Sequence, residues 1–213
     1  MDNIKLFNKL KEYEIDELLG FLHATTKVFS KNSIIINKGA KLSDICIVLV
    51  GEVNIYAKNI DGGESLIKKV GAGSSFCLNY VCAGIKTSPV VVRAEKQTGV
   101  LFLPYDRTLI LHESVSKWQQ QLLKNIFEEV ARENLDLNAR MDVLNQKTIR
   151  EKILFYLNRI VDEVGSNKVE IPFSREEMAG YLCVDRSALS RELSNLHKDE
   201  ILNYKKNEFH LLS

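Results

Sequence analysis

The spacing of apolar residues changes along this chain, and each change marks a different kind of element. From about Ile4 to Thr25, residues Leu6, Leu10, Ile15, Leu18, Leu19 and Leu22 recur at helical intervals, which predicts short helices. From Val28 the texture becomes short β-rich runs, at Ser33–Ile36, Ile45–Val50, Val53–Tyr56, Leu66–Val70, Val90–Ala94 and Val100–Leu103. Turn signals separate them: Lys38-Gly39, Gly51-Glu52, Asp61-Gly62-Gly63, Gly71-Ala72-Gly73 and Gly99. Regular short strands with glycine turns predict an antiparallel roll or sandwich rather than a parallel sheet with crossover helices.

A long helical stretch follows, from about Ser114 to Asn145, with neither Gly nor Pro in it. Val115, Trp118, Leu122, Ile126, Val130, Leu137, Met141 and Leu144 form an apolar seam along it. Such a seam buries itself either on the chain's own roll or on a second copy of the same helix. The length favours the second copy, with Trp118, Leu122, Ile126, Val130 and Leu137 as the dimerisation residues. Thr148 with Glu151 makes a capping box, so a new helix starts there and runs through Ile153, Leu154, Leu157 and Ile160. The break at Asn145–Lys147 is the expected interdomain hinge. Gly165-Ser166-Asn167 is a turn, and Val169–Ile171 before Pro172 reads as a short strand.

The last third holds two short helices. Ser174 with Glu177 is another capping box, and Met178, Ala179 and Leu182 share one face. Cys183-Val184 breaks the period and Asp185 is a second N-cap. The next helix has Leu189, Leu193 and Leu196 inward and Arg186, Ser187, Ser190, Arg191 and Ser194 outward. A capped hairpin of helices can be one surface of an ordinary bundle. Two arginines among serines, however, differ from the Glu/Lys mixture of a merely solvated helix. They suit a helix-turn-helix whose second helix enters a DNA major groove, where Arg is bidentate to guanine. Leu202–Lys205 and Glu208–Leu211 flank Lys206-Asn207, a hairpin that would be the wing, with Lys205 and Lys206 at its tip for phosphate.

Composition narrows the picture only in places. With 213 residues, 45% hydrophobic and 27% charged, the chain has room for two modest domains. A net charge of +1 means that any DNA-binding charge must be gathered on one face. Neither a basic-plus-apolar leader nor an apolar run near about 18 residues is present, so a cytoplasmic protein away from the membrane is expected. Cys46, Cys77, Cys82 and Cys183 lack paired C-x-x-C spacing, which argues against a zinc module or a disulfide framework. No nucleophile elbow, Walker loop or H-E-x-x-H occurs, and an enzyme is not expected.

The segment Cys183–Leu193, CVDRSALSREL, resembles the recognition-helix signature of the CRP/FNR superfamily of bacterial transcription regulators. The order of parts before it is similar to that family's effector domain and central dimerisation helix. The resemblance implies an α+β fold. An N-terminal antiparallel β-roll of the cyclic-nucleotide-binding type (1–113) would be joined by a long dimerisation helix (114–145) to a C-terminal winged helix-turn-helix (146–213). It places Arg186 and Arg191 at the family's two recognition-helix arginines, and Ser174 and Arg175 at positions that touch phosphate. The Asp185 backbone is expected to join these two in positioning the helix on the phosphates. Ser187 departs from the family's common Glu, so a different target base is expected at that step. Cys183 stands where Gly is usual. Expected partners are pseudo-palindromic double-stranded DNA, a second copy of the chain and an effector molecule, with RNA polymerase a further candidate.

In cyclic-nucleotide-binding relatives a Gly-Glu pair grips the ribose and an Arg-Ser/Thr pair the cyclic phosphate. Aligning on Gly73 and Phe76 puts Cys77-Leu78 at the first pair; aligning on Leu103-Pro104 puts Ser88-Pro89 at the second. Leu cannot accept from a hydroxyl, Ser carries no charge and Pro89 lacks an N–H, so cyclic AMP is not the expected effector. The expected pocket is Phe76, Cys77, Leu78, Tyr80, Val81, Cys82, Ser88 and Pro89. It holds an apolar or aromatic effector, or a haem or redox centre using Cys77 or Cys82 with His23 or His112, or it is packed solid. An iron–sulfur cluster is not expected, because no cysteine cluster precedes Cys46.

Overall fold

The computed structural model describes residues 4–59, 62–110 and 117–212. Asp61, His112, Ser114 and Val115, named above, lie outside the described residues. Packing divides the chain between Arg132 and Glu133 into two units.

The N-terminal unit opens with a short 3-10 turn (Lys5–Phe7) and helix α1 (Glu12–Leu22). Eight strands follow: β1 (Thr25–Phe29), β2 (Ile34–Ile36), β3 (Asp44–Val50), β4 (Glu52–Lys58), β5 (Glu64–Gly71), β6 (Ser75–Phe76), β7 (Val91–Ala94) and β8 (Thr98–Pro104). Helix α2 (Leu78–Cys82) interrupts them after β6, and α3 (Tyr105–Thr108) ends them. The strands form two four-stranded antiparallel sheets, β1-β8-β3-β6 and β2-β7-β4-β5. Ile45–Val48 in β3 are all buried, because that strand is covered on both faces. In β5 only Val70 is buried, as befits an edge strand. The turn from β3 to β4 requires Gly51: its φ is +95°, and a Cβ there would meet Thr98 Oγ1 at 2.5 Å. Six of these eight strands follow the expected runs, whereas β1, β6 and the helix α2 were not among them. Cys77 before α2 stands in the left-handed region at φ 60°, which sharply redirects the chain after β6.

The long helix α4 spans Lys117–Leu144. Trp118, Leu122 and Ile126 are buried in the same core as Leu18, Ile45, Val53 and Leu103, and Val130 packs against it. This corrects the expected seam. Trp118, Leu122 and Ile126 are committed to the chain's own roll, because the helix begins beside it and its apolar stripe is the nearest cover. Polar groups reinforce the attachment. Asn125 Nδ2 donates to the carbonyls of Leu6 (2.9 Å) and Asn8 (2.8 Å), and Ser75 Oγ donates to Glu129 Oε1 at 2.7 Å.

The C-terminal unit contains α5 (Ile149–Val164), β9 (Lys168–Glu170), α6 (Arg175–Leu182), α7 (Arg186–Lys198), β10 (Leu202–Lys205) and β11 (Glu208–Leu211), with sheet order β10-β11-β9. Its core is Val143, Ile153, Leu157, Ile171, Met178, Leu182, Leu189, Leu193, Leu196 and Phe209. Val143, from the last turn of α4, is wholly buried there, and Arg140 donates to the carbonyls of Tyr181 (3.3 Å) and Gly180 (3.4 Å). Asn145–Lys147 therefore lies inside the C-terminal unit rather than between units. Both expected capping boxes form. Thr148 N–H donates to Glu151 Oε2 at 2.9 Å while Glu151 N–H donates back to Thr148 Oγ1 at 3.1 Å. Ser174 and Glu177 do the same at 2.9 and 3.3 Å.

Candidate functional site

Helix α7 is amphipathic in the sense its sequence dictates. Leu189, Leu193 and Leu196 are fully buried, and on the other face of the helix Arg186, Ser187, Ser190, Arg191 and Ser194 are all exposed. The helix starts where Asp185 caps it: its carboxylate accepts from the backbone N–H groups of Ser187 (2.8 Å) and Ala188 (3.1 Å) and from the Ser187 hydroxyl. These bonds, led by that of the hydroxyl, hold the Asp185 carboxyl below its ordinary pKa. Asp185 thus positions the helix. The Ser187 proton is used in the cap, while its lone pairs stay free to accept. The turn before it passes through Cys183 at φ 52°, the position where a glycine would be unstrained.

The two arginines face solvent. Arg186 Nη1 lies 3.5 Å from Glu176 Oε2, but the side chains are 66% and 79% exposed, so water screens the pair. Such a contact yields readily to a stronger partner. Arg175, expected at phosphate, is half-buried and already has partners within the unit. Its guanidinium lies over the rings of Tyr204 (5.1 Å) and Phe209 (4.9 Å) and donates to the Lys206 carbonyl at 2.6 Å. The charge is used to join α6 to the wing, because two aromatic faces and a carbonyl converge on it. Lys205 and Lys206 are exposed at the tip of that hairpin, and Ser174 is exposed at the start of α6. Arg150 of α5 pairs with Asp199 at 2.6 Å and with Glu192 of α7 at 3.6 Å.

The expected effector lining is mostly closed. Phe76, Cys77, Leu78, Val81 and Ser88 are buried, Tyr80 and Cys82 are half-buried, and Pro89 is exposed. The Ser88 hydroxyl donates to the Val90 carbonyl at 2.9 Å and accepts from Val90 N–H at 3.3 Å. Its donor is thus occupied by its own loop. A cavity of about 160 Å3 lies instead among Ile36, Ala40, Lys41, Leu42, Asp44, Cys46 and Phe102. None of the eight expected pocket residues lines it; β6 and α2 turn Phe76, Leu78 and Val81 into the core. Burial pushes the thiols of Cys46 and Cys82 above their ordinary pKa, which keeps both protonated and poorly nucleophilic. His23 is exposed and ends α1 in a left-handed cap. Among the described residues no three His, Cys, Asp or Glu side chains gather as metal ligands, and no helix is long and apolar enough to cross a membrane.

Some features went unread in the sequence. Phe127 and Leu135 stand exposed on α4 beside Leu137 and Met141 of the expected seam, and Arg140 stacks on Tyr181 at 5.1 Å. The three-and-four alternation of Leu123, Phe127, Val130, Asn134, Leu137 and Met141 was the available signal, masked by the denser stripe that serves the roll.

Comparison with known proteins agrees with this architecture. Residues 26–114 match the model of the cyclic nucleotide-binding domain and residues 151–213 that of the Crp-like helix-turn-helix domain. The chain is 24% identical over 189 residues to the transcriptional activator protein FnrA of Stutzerimonas stutzeri, covering 85% of this chain and 74% of that protein. Among solved structures, CprK in complex with OCPA superposes with a TM-score of 0.70 at 16% identity, over 92% of this chain and 88% of that one. The c-di-GMP-responsive global regulator CLP of Xanthomonas campestris does so at 0.65 and 19% identity, over 95% and 100%. Regulators of this kind bind DNA and are not enzymes. A β-rich nucleotide-binding-type domain, a long helix and a helix-turn-helix with a small wing sheet, in that order, make this chain a member of the CRP/FNR family of DNA-binding transcription regulators.

Proposed function

We propose that the chain acts as a homodimer paired along α4, each copy setting α7 into the major groove at one half of a pseudo-palindromic DNA site. The observation that carries this reading is the division of α7 into a fully buried leucine stripe and an exposed face of two arginines and three serines. Two recognition helices of a two-fold dimer stand about one DNA turn apart, roughly 34 Å. Arg186 leaves Glu176 to read a guanine bidentately, and Arg191 reads a base or holds a phosphate. Ser187 and Ser190 accept or donate at base edges, and Ser174, Lys205 and Lys206 fix the register on phosphates. RNA polymerase is the further partner.

The effector belongs to the N-terminal unit and is not cyclic AMP. Leu78 and Ser88, at the positions that grip ribose and phosphate in relatives, are buried, and neither side chain carries a charge to offset an anion. An uncharged, largely apolar molecule suits the surroundings. By binding one state of the roll better than another it would shift the population competent for DNA. Calorimetry with cyclic AMP is expected to show no binding at micromolar ligand, and a micromolar constant would overturn this part.

Gel retardation on DNA upstream of the protein's own gene tests the main reading. Specific binding should weaken steeply with salt yet survive competitor DNA. Arg186→Ala is expected to lose about 1–3 kcal/mol on the specific site and to relax preference at one base step. Equal loss on random DNA would make Arg186 a phosphate contact instead.

A further inference from the structure

With Trp118, Leu122 and Ile126 turned into the roll, a second stripe of α4 remains. Leu123, Phe127, Val130, Asn134, Leu137, Met141 and Leu144 follow one another at alternating steps of four and three residues. That is the spacing of a two-stranded coiled coil, with Phe127, Asn134 and Met141 at one core position and Leu123, Val130, Leu137 and Leu144 at the other. Phe127, Leu137 and Met141 are 74%, 53% and 59% exposed, so their apolar surface is unclaimed within the chain. One position in this apolar series is polar. Asn134 is exposed, and its Oδ1 accepts from Asn138 Nδ2 at 3.1 Å.

We infer that Asn134 sets the register of self-association, by pairing with Asn134 of a second copy across the two-fold axis of a parallel α4–α4 coil. This rests on the dimer reading above and specifies its alignment. An asparagine buried between apolar neighbours needs a donor and an acceptor opposite it. A carboxamide supplies both, so a second Asn134 at the same level satisfies it, whereas any slipped or antiparallel alignment sets it against Phe127, Leu137 or Met141. With its oxygen already accepting from Asn138, Asn134 offers its Nδ2 protons to the facing oxygen, and a short chain of amides crosses the interface. Charge agrees with an in-register parallel pair. Of the flanking positions that would meet across such a pair, Glu133 faces Asn138, so no like charges oppose one another there. Gln119 is buried in the roll, with its amide donating to the Thr108 and Ile110 carbonyls. The polar pair weakens the association in exchange for a single alignment.

Sedimentation equilibrium on the full chain and on Phe127→Glu, Asn134→Leu and Asn134→Gln tests this. The wild type is expected to be one dimeric species and Phe127→Glu a monomer. Asn134→Leu is expected to associate roughly tenfold more tightly but to populate species beyond the dimer, and to lose affinity for a palindromic site through misaligned pairs. Asn134→Gln, which keeps the amide, should stay dimeric. If the wild type is monomeric, or Phe127→Glu still dimerises, pairing along α4 itself fails and the inference falls with it. If those two behave as expected while Asn134→Leu forms only a dimer of wild-type affinity and DNA binding, the dimer stands and the role of Asn134 is overturned.

Discussion

The outward face of α7 and the stretch from Phe76 to Pro89 carry the same kind of sequence signal, a few side chains at positions where relatives bind something. The structure treats them oppositely. Arg186, Ser187, Ser190 and Arg191 are all at the surface, whereas Phe76, Cys77, Leu78 and Ser88 are enclosed by the roll. The difference lies in what fixes a side chain's direction. On a helix of three turns the leucine stripe faces the core, and its period leaves the remaining residues no choice but to point outward. Around β6 and α2 the elements are two and five residues long, with a left-handed residue between them, so no period operates.

Three substitutions sharpen that contrast. Phe76→Ala removes a buried ring opposite Cys46 in the sheet and is expected to lower stability by about 3–5 kcal/mol in denaturant titrations. A small loss accompanied by altered effector response would instead make Phe76 a lining residue. Arg175→Ala should cost about 1–2 kcal/mol of stability through its aromatic and carbonyl contacts, leaving the salt slope of DNA binding unchanged. A slope shallower by about one, with stability intact, would return it to the phosphate contacts. Cys183→Gly has the smallest effect, a gain of at most about 1 kcal/mol from relief of the left-handed residue, read as a rise in the melting temperature.

Much of the architecture was legible because local chemistry and tertiary packing agree. Ser174, Thr148 and Asp185 cap the helices their sequence marks, and Leu189, Leu193 and Leu196 are buried as their spacing predicts. The long helix was legible as a helix but not in its allegiance. Two apolar stripes overlap on it, and only three-dimensional packing assigns Trp118, Leu122 and Ile126 to the roll. Arg175 has partners that its sequence neighbourhood does not show. The family resemblance sets it at a phosphate position, and Tyr204 and Phe209, some thirty residues away, fold back beneath it.

The bracket formed by Arg175 has a mechanical corollary. Because the carbonyl at the wing tip is tied to the opening turn of α6, Lys205 and Lys206 travel with the helix-turn-helix instead of swinging independently. On the proposed phosphate contacts, the gap between sugar–phosphate rail and base edge would be gauged by a stiff caliper. Duplexes whose groove width departs from that setting would then be disfavoured even when their letters are correct.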